Sequence, residues 1–150
     1  VEIRPATTAD AGALGELVIL MYESMGFDVT DPAADWMVAL PRWYERRLAD
    51  GSIAAFVAEQ DGRVIGGCTV WILASLPREG SPDGRRGYVA GMSVRPEWRS
   101  RGIARRLLTA GLDWLRAAGA DFAELHATKL GQPLYESVGF EETPAFRLRL

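Results

Sequence analysis

An α/β (α+β) sandwich built on a mixed sheet is the fold class the sequence predicts, and three observations predict it. Apolar residues alternate with period two in short runs at 1–5, 53–60, 63–73, 88–94 and 122–128. Between these runs lie segments whose apolar residues recur at helical spacing, most clearly from 102 to 118. Turn signals separate the two kinds of segment, and no repeat, low-complexity tract or linker divides the chain. The order is β-α-α-β-β-β-α-β-α-β, and 150 residues suit one domain spanning 1–150 with a hydrophobic core of its own.

Each element has its own reason. Val1, Ile3 and Pro5 alternate with Glu2 and Arg4 as a first strand. Thr7 or Thr8 caps a helix with Asp10 in its first turn, and Ala13, Leu14, Leu17, Val18 and Met21 follow at helical spacing. Residues 26–32 break that pattern before a second helix over 33–49, rich in aromatic side chains. Asp61-Gly62 is a hairpin signal between the second and third strands. Residues 75–87, with prolines, glycines and charges, are expected to be a mobile loop. The fourth strand, 88–94, contains Gly91, and a glycine inside a strand marks a bulge or a close approach of another backbone. In the helix over 102–118, Ile103, Leu107, Leu108, Leu112 and Leu115 share one face. A fifth strand over 122–128, a short helix over 133–138 and one or two strands within 140–150 complete the order.

Composition narrows the function classes. Apolar residues are 48% and charged residues 25%, the profile of a folded globular chain. No apolar stretch approaches the roughly 18 residues of a membrane span, and residues 1–5 do not read as a signal peptide. Net charge is −3, which argues against nucleic acid or an anionic membrane as partner. The single cysteine, Cys68, allows no intrachain disulfide and suits a reducing, cytoplasmic setting; it reads as a buried strand residue. No metal-ligand spacing, P-loop or Rossmann glycine pattern occurs, so no metal is expected.

Positive charge is nonetheless concentrated, because Arg95, Arg99, Arg101, Arg105 and Arg106 face one acid, Glu97, within twelve residues. The stretch from Val94 to Ala104 sits between a strand and a helix, where free N–H groups and the helix dipole make an anion site. Gly102 lets the backbone approach a phosphate with no Cβ in the way, and Ala104 keeps the next step small. Arg99, Arg101 and Arg105 can add charge-assisted hydrogen bonds at its rim, whereas Arg95 and Arg106 are expected to be solvated.

The pattern Arg99-x-x-Gly102-x-Ala104, after a strand ending at Val94, resembles the pyrophosphate-binding signature of the GNAT superfamily of acyl-CoA N-acyltransferases. A second segment, Leu134-Tyr135-Glu136-Ser137-Val138-Gly139-Phe140, resembles the LYxxxGF segment of the same family, in the expected order and at the expected distance. The opening Ile3-Arg4-Pro5-Ala6 is also family-like, and the resemblance is weakest over 26–50. It implies a mostly antiparallel mixed sheet flanked by helices, with the fourth and fifth strands splayed around acetyl-CoA. Met92, Ser93 and Val94 would meet the pantetheine arm as if it were an added strand. Arg99, Ser100, Arg101, Gly102, Ile103, Ala104 and Arg105 would hold the pyrophosphate, and Tyr135 would be the general acid beside the sulfur. The acceptor would be an amine, and the resemblance leaves room for a homodimer.

Three positions depart from the pattern. Thr128, counted with the cofactor-binding residues, stands where many relatives carry asparagine, and Gly131 stands where alanine is usual. Tyr88 occupies the fourth-strand place at which some relatives carry a glutamate base. The base is therefore unassigned, and a water chain is expected to take the ammonium proton, with Glu124 and His126 as alternatives on one face of the fifth strand. A lone histidine on a strand is more often structural than catalytic, and His126 reads so first. Tyr22, Phe27, Trp36, Trp43 and Tyr44 either line the acceptor site or pack the first two helices together. Glu23, Asp28, Asp31 and Asp35 either attract a cationic acceptor or are simply solvated. The function expected is acetyl transfer to a primary amine of a small molecule or peptide by direct attack; the alternative is an acyl-CoA-binding sensor without turnover.

Overall fold

A computed structural model describes residues 1–150. The elements are β1 (Glu2–Pro5), α1 (Ala11–Ser24, entered through a 3-10 turn at Thr8–Asp10), α2 (Asp35–Asp50), β2 (Ala54–Gln60), β3 (Arg63–Ala74), β4 (Arg85–Val94), a 3-10 turn (Pro96–Trp98), α3 (Ile103–Ala117), β5 (Phe122–Glu124) and α4 (Gln132–Val138). One sheet runs β1-β2-β3-β4-β5, antiparallel except for the parallel β4–β5 pair. The expected class, mixed and mostly antiparallel, is the one observed.

Strand alternation sends side chains to two separate helical layers. On one face, Ile65, Cys68, Val70 and Val89 pack with Leu107, Leu108 and Leu115 of α3. Leu107 and Leu108 are wholly buried, each a contribution of about 1.5–3 kcal/mol relative to exposure. On the other face, Ala55 and Val57 meet Leu14 and Val18 of α1 and Tyr44 of α2. Asp61 and Gly62, at φ 51° and 76°, form the tight turn that joins β2 to β3.

The sheet edge is tied to α1 by an ionic cluster. The Arg4 guanidinium donates to both Asp10 carboxylate oxygens at 2.9 Å, and to Glu59 at 2.6 and 2.9 Å. Asp10 also accepts the Thr7 N–H at 2.8 Å, so the expected first-turn acid both caps the helix entry and anchors it to β1.

Three expectations are corrected. β4 begins at Arg85 rather than 88, because Ala74 pairs with Arg85 and the β3–β4 ladder continues through Gly87. A Cβ at Gly87 would lie 2.6 Å from Leu115, so glycine there admits α3 rather than ending a strand. The intervening turn closes on itself through an Arg78–Ser81 bridge. β5 spans only Phe122–Glu124, not 122–128, since its sole partner β4 turns away beyond Tyr88. No strand forms within 139–150. Phe146, Leu148 and Leu150 alternate with Arg147 and Arg149 as a strand would, but β5 offers only three residues of edge and those apolar side chains stay exposed.

The hydrogen bonds from Arg4 hold the Asp10 carboxyl below its ordinary range, against the upward push of its burial. A depressed folded-state pKa contributes stability above the unfolded value of about 3.9, and this is lost as pH falls through the folded value. Asp10→Asn should therefore cost about 1–3 kcal/mol in urea unfolding at neutral pH. It should also flatten the loss of stability below about pH 4. An acid limb as steep in the variant as in the parent would contradict this role.

Candidate functional site

The site is built where β4 leaves β5. In the β3–β4 ladder Gly67 pairs with Ser93, but Thr69 pairs with Ala90, so β4 carries an irregularity at Gly91 and Met92. Gly91 has φ +60°, and a Cβ there would fall 2.9 Å from the Tyr44 hydroxyl and 3.2 Å from Thr69 Oγ1. Those two oxygens are hydrogen-bonded at 2.8 Å beneath the bulge. Burial pushes Tyr44 up to about 12, partly offset by that bond, which marks it as a structural hydroxyl. On the opposite side β5 pairs only with Arg86, Gly87 and Tyr88. The β4 edge from residue 89 to 94 is thus left without a strand neighbour on that side, the geometry that Met92 and Val94 need in order to take an extended arm. Ser93 is buried within the strand.

At the end of β4 the chain turns through Pro96–Trp98 into α3. Ser100 and Gly102 both have positive φ, 60° and 77°. The backbone N–H groups of Ser100, Arg101, Gly102, Ile103, Ala104 and Arg105 make no hydrogen bond within the chain, and Arg106 N–H is the first to find an acceptor, Gly102 O at 3.2 Å. A Cβ at Gly102 would meet nothing within 4 Å, so the space over this N–H ladder is open. Consecutive unsatisfied donors at the head of a fifteen-residue helix form an anion cradle.

The arginines divide their work. Arg99 Nε donates to Val94 O at 3.0 Å and fixes the loop, while Arg101 lies 4.9 Å over the Trp98 ring. Arg105 donates to Ser137 Oγ at 2.6 Å and so joins α3 to α4. Ile103 puts its side chain into the core and leaves only its N–H for a ligand. Arg95, expected to be solvated, is instead bound to Val64 O at 3.1 Å and to Glu16 at 3.1 Å. Arg106 is exposed, yet donates to Val1 O at 3.0 Å.

Tyr135 projects from α4 into the opening. Its ring is 8% exposed and meets Phe140 edge-on with centroids 5.8 Å apart. The hydroxyl has no partner in the chain, and since Ser81 Oγ alone is both sealed and unpaired, the Tyr135 hydroxyl must open onto the cleft. Burial pushes it up to about 12, which keeps it protonated at neutral pH. Gly131 explains one departure from the expected pattern: a Cβ there would fall 2.8 Å from the Tyr135 ring. Thr128 caps the turn into α4, its carbonyl accepting from Gly131 and Gln132 at 3.1 and 2.9 Å, and it lines the cleft with Tyr135.

The cleft itself has a volume of about 730 Å³ and runs from Met92, Thr128 and Tyr135 to the aromatic residues of α1 and α2. Tyr22, Phe27, Trp36, Trp43 and Tyr44 all line it, and Trp71, Tyr88 and Arg147 complete its wall. Trp71 pairs with Tyr88 across the β3–β4 ladder, their rings 5.0 Å apart. That register, legible only once the β3–β4 alignment is known, is the signal for Trp71. Tyr88, raised above the ordinary tyrosine range chiefly by burial, is hydrogen-bonded to His126 Nδ1. Glu124 and His126 both lie beside Tyr88, Glu124 as its partner in the β4–β5 register and His126 through its hydrogen bond. Glu124 pairs with Arg86 at 3.0 Å, whereas His126 lies past the end of β5 and lines the cleft. Cys68 is wholly buried under α3 and its thiol is pushed up to about 12 by that burial. Asp28 bonds to Thr30 and Asp31 to the Ala33 N–H; with Glu23 and Asp35 they lie outside the cleft lining.

This architecture is shared. The profile of the Acetyltransferase (GNAT) family matches residues 18–140. The chain belongs to the GNAT acetyltransferase family. A GCN5-related N-acetyltransferase from Ralstonia eutropha superposes with a TM-score of 0.91 and 31% identity, over 99% of this chain and 97% of that one. A predicted acetyltransferase from Clostridium acetobutylicum, solved with acetyl-CoA, gives 0.87 and 26% over 99% and 94%. The mycothiol acetyltransferase of Thermobispora bispora is 39% identical over 88 residues, covering 57% of this chain; the match spans only 29% of that protein's length.

A direct test of the GNAT phosphate loop follows from the open N–H ladder. Acetyl-CoA, by binding only the folded chain, should raise Tm. Gly102→Asp should abolish the shift by placing a carboxylate over the ladder, while Gly102→Asn, which tolerates positive φ, reports any cost of the side chain alone. An undiminished shift in Gly102→Asp would remove the assignment.

Proposed function

We propose that this chain is an acetyl-CoA-dependent N-acetyltransferase that acts on a primary amine of a small molecule or peptide by direct attack. The observation that carries the proposal is one juxtaposition. A ladder of unsatisfied N–H groups at the head of α3 and a protonated, unpartnered Tyr135 hydroxyl flank the gap where β4 and β5 part. The first suits a pyrophosphate, the second suits a departing thiolate, and the unpaired β4 edge suits the arm that joins them.

When bound, acetyl-CoA supplies the thioester carbon that the amine attacks. A C–N bond forms, the C–S bond breaks, and the sulfur takes its proton from Tyr135. A thiolate of pKa about 8.5, by analogy with cysteine, is a weaker base than an ordinary tyrosinate at about 10, and burial of Tyr135 widens that gap. Transfer to the thiolate is therefore uphill on its own; it is driven by C–S cleavage and by loss of the ammonium proton to water, and solvent returns a proton to Tyr135. The attacking amine must be neutral. For a lysine-like amine of pKa about 10.4 this deprotonation accounts for about 4–5 kcal/mol of the barrier at neutral pH. In this account water carries the ammonium proton out of the cleft, past the Tyr88–His126 pair on its wall.

Three variants separate these roles. Tyr135→Phe should lower kcat by about tenfold to a thousandfold, with the acetyl-CoA thermal shift retained. A kcat within about twofold of the parent, measured where chemistry limits the rate, would remove Tyr135 as the acid. For the water path, His126→Gln and Glu124→Gln should each cost less than about tenfold in kcat/KM, with a pH profile that follows the pKa of the amine used. A hundredfold or larger loss in His126→Gln alone, with a pH limb fixed across acceptors, would assign the base to His126. Tight CoA binding without thiol release over a broad amine panel would support the sensor reading.

A further inference from the structure

The lining of the acceptor cleft carries an unusual charge balance. Tyr22, Phe27, Trp36 and Trp43 give it an aromatic floor, and Phe27, Trp36 and Trp43 remain 52%, 37% and 36% exposed. No aspartate or glutamate lines it; Arg147 is its single permanently charged side chain. Glu124 pairs with Arg86, Asp28 with Thr30 and Asp31 with the Ala33 N–H, while Glu23 and Asp35, next in sequence to Tyr22 and Trp36, stay outside the lining. Arg147 belongs to none of the chain's ion pairs. It lines the cleft with Tyr88 and His126, and acts on the Tyr88 hydroxyl against the opposite influence of Glu124.

This is the reverse of what a polycationic acceptor requires. An amine with several positive charges would enter an apolar cleft that already holds an uncompensated guanidinium and has no carboxylate to receive it. A guanidinium with free donors is instead matched by a carboxylate, which it binds in a planar, two-pronged geometry. The aromatic floor is matched by a flat or apolar body. We infer that the acceptor is an aromatic or bulky apolar primary amine that carries a carboxylate, with Arg147 as the residue that selects the carboxylate. The inference rests on the acetyltransferase reading and adds to it the class of acceptor.

A carboxylate on Arg147 anchors one end of the acceptor while its body lies on Trp36 and Trp43. The amine is then left to approach the part of the cleft bordered by Met92, Thr128 and Tyr135. Arg147 sits in the segment for which a strand was expected. No strand forms there, and Arg147 is exposed like its neighbours, yet it alone of the residues after Gly139 lines the cleft.

The test is acetyl-CoA-dependent thiol release with paired acceptors on the full chain. L-phenylalanine and L-tryptophan are compared with phenethylamine and tryptamine, a phenylalanine-containing dipeptide, spermidine and kanamycin. The amino carboxylates should exceed their decarboxylated partners by about tenfold or more in kcat/KM. Arg147→Gln should shrink that ratio to about twofold, mainly through KM, and Arg147→Lys should restore part of it. A far-ultraviolet spectrum and the acetyl-CoA thermal shift report on folding and on the cofactor site independently of the acceptor. Equal rates with and without the carboxylate, an unchanged ratio in Arg147→Gln, or best turnover of spermidine or kanamycin would each overturn the inference while leaving the acetyltransferase reading in place. No thiol release with any amine would overturn it too, and loss of the thermal shift as well would carry the cofactor reading with it.

Discussion

Beyond Tyr88, β4 has a neighbour on one side only, and the rest of the site depends on that separation. A sheet that continued its β4–β5 ladder would satisfy every backbone group and leave no slot. Here the ladder ends at the Tyr88–Glu124 pair, and a few residues later the bulge at Gly91 bends β4 further. The bulge is possible because glycine takes φ +60° and because the Tyr44–Thr69 hydrogen bond occupies the space a side chain would need. The unsatisfied N–H groups at the head of α3 extend the same logic: donors are left open in a line along which an extended, phosphate-bearing ligand can satisfy them.

The two halves of the opening are held in register by contacts outside it. Arg105, at the first turn of α3, donates to Ser137 on α4, two residues from Tyr135. Thr128 sets the turn from which α4 starts, and Gly131 lets the Tyr135 ring lie against the backbone. A displacement of α4 would therefore disturb Tyr135 and the head of α3 together. At the far end, the Arg4–Asp10–Glu59 cluster fixes α1, whose Val18, Met21 and Tyr22 face the cleft.

Much of this was legible in the sequence because the chemistry is local. The loop from Val94 to Arg105 owes its open N–H groups to backbone conformation, glycine position and a helix start, all of which short-range pattern specifies. Tyr135 and Thr128, both singled out from the sequence, line the cleft. What escaped depends on partners distant in the chain. The alternation over 122–128 signals a strand, but only three residues pair, because pairing is decided by where β4 turns. The alternation over 140–150 signals a strand that has no matching edge to join. Trp71 and Arg147 enter the cleft through tertiary placement alone, and Arg95 is bound rather than solvated because β3 and α1 approach it.

The central claim is that a coenzyme A ester fills the line of open donors from the β4 edge to the head of α3. Amide hydrogen exchange with and without acetyl-CoA tests it most directly, residue by residue. The account predicts new protection at the amides of Ser100, Arg101, Gly102, Ile103, Ala104 and Arg105, with a second protected patch on β4 around Met92 and Val94. Protection confined to another surface, or a bound ester that leaves the residue 100–105 amides exchanging as freely as before, would contradict it.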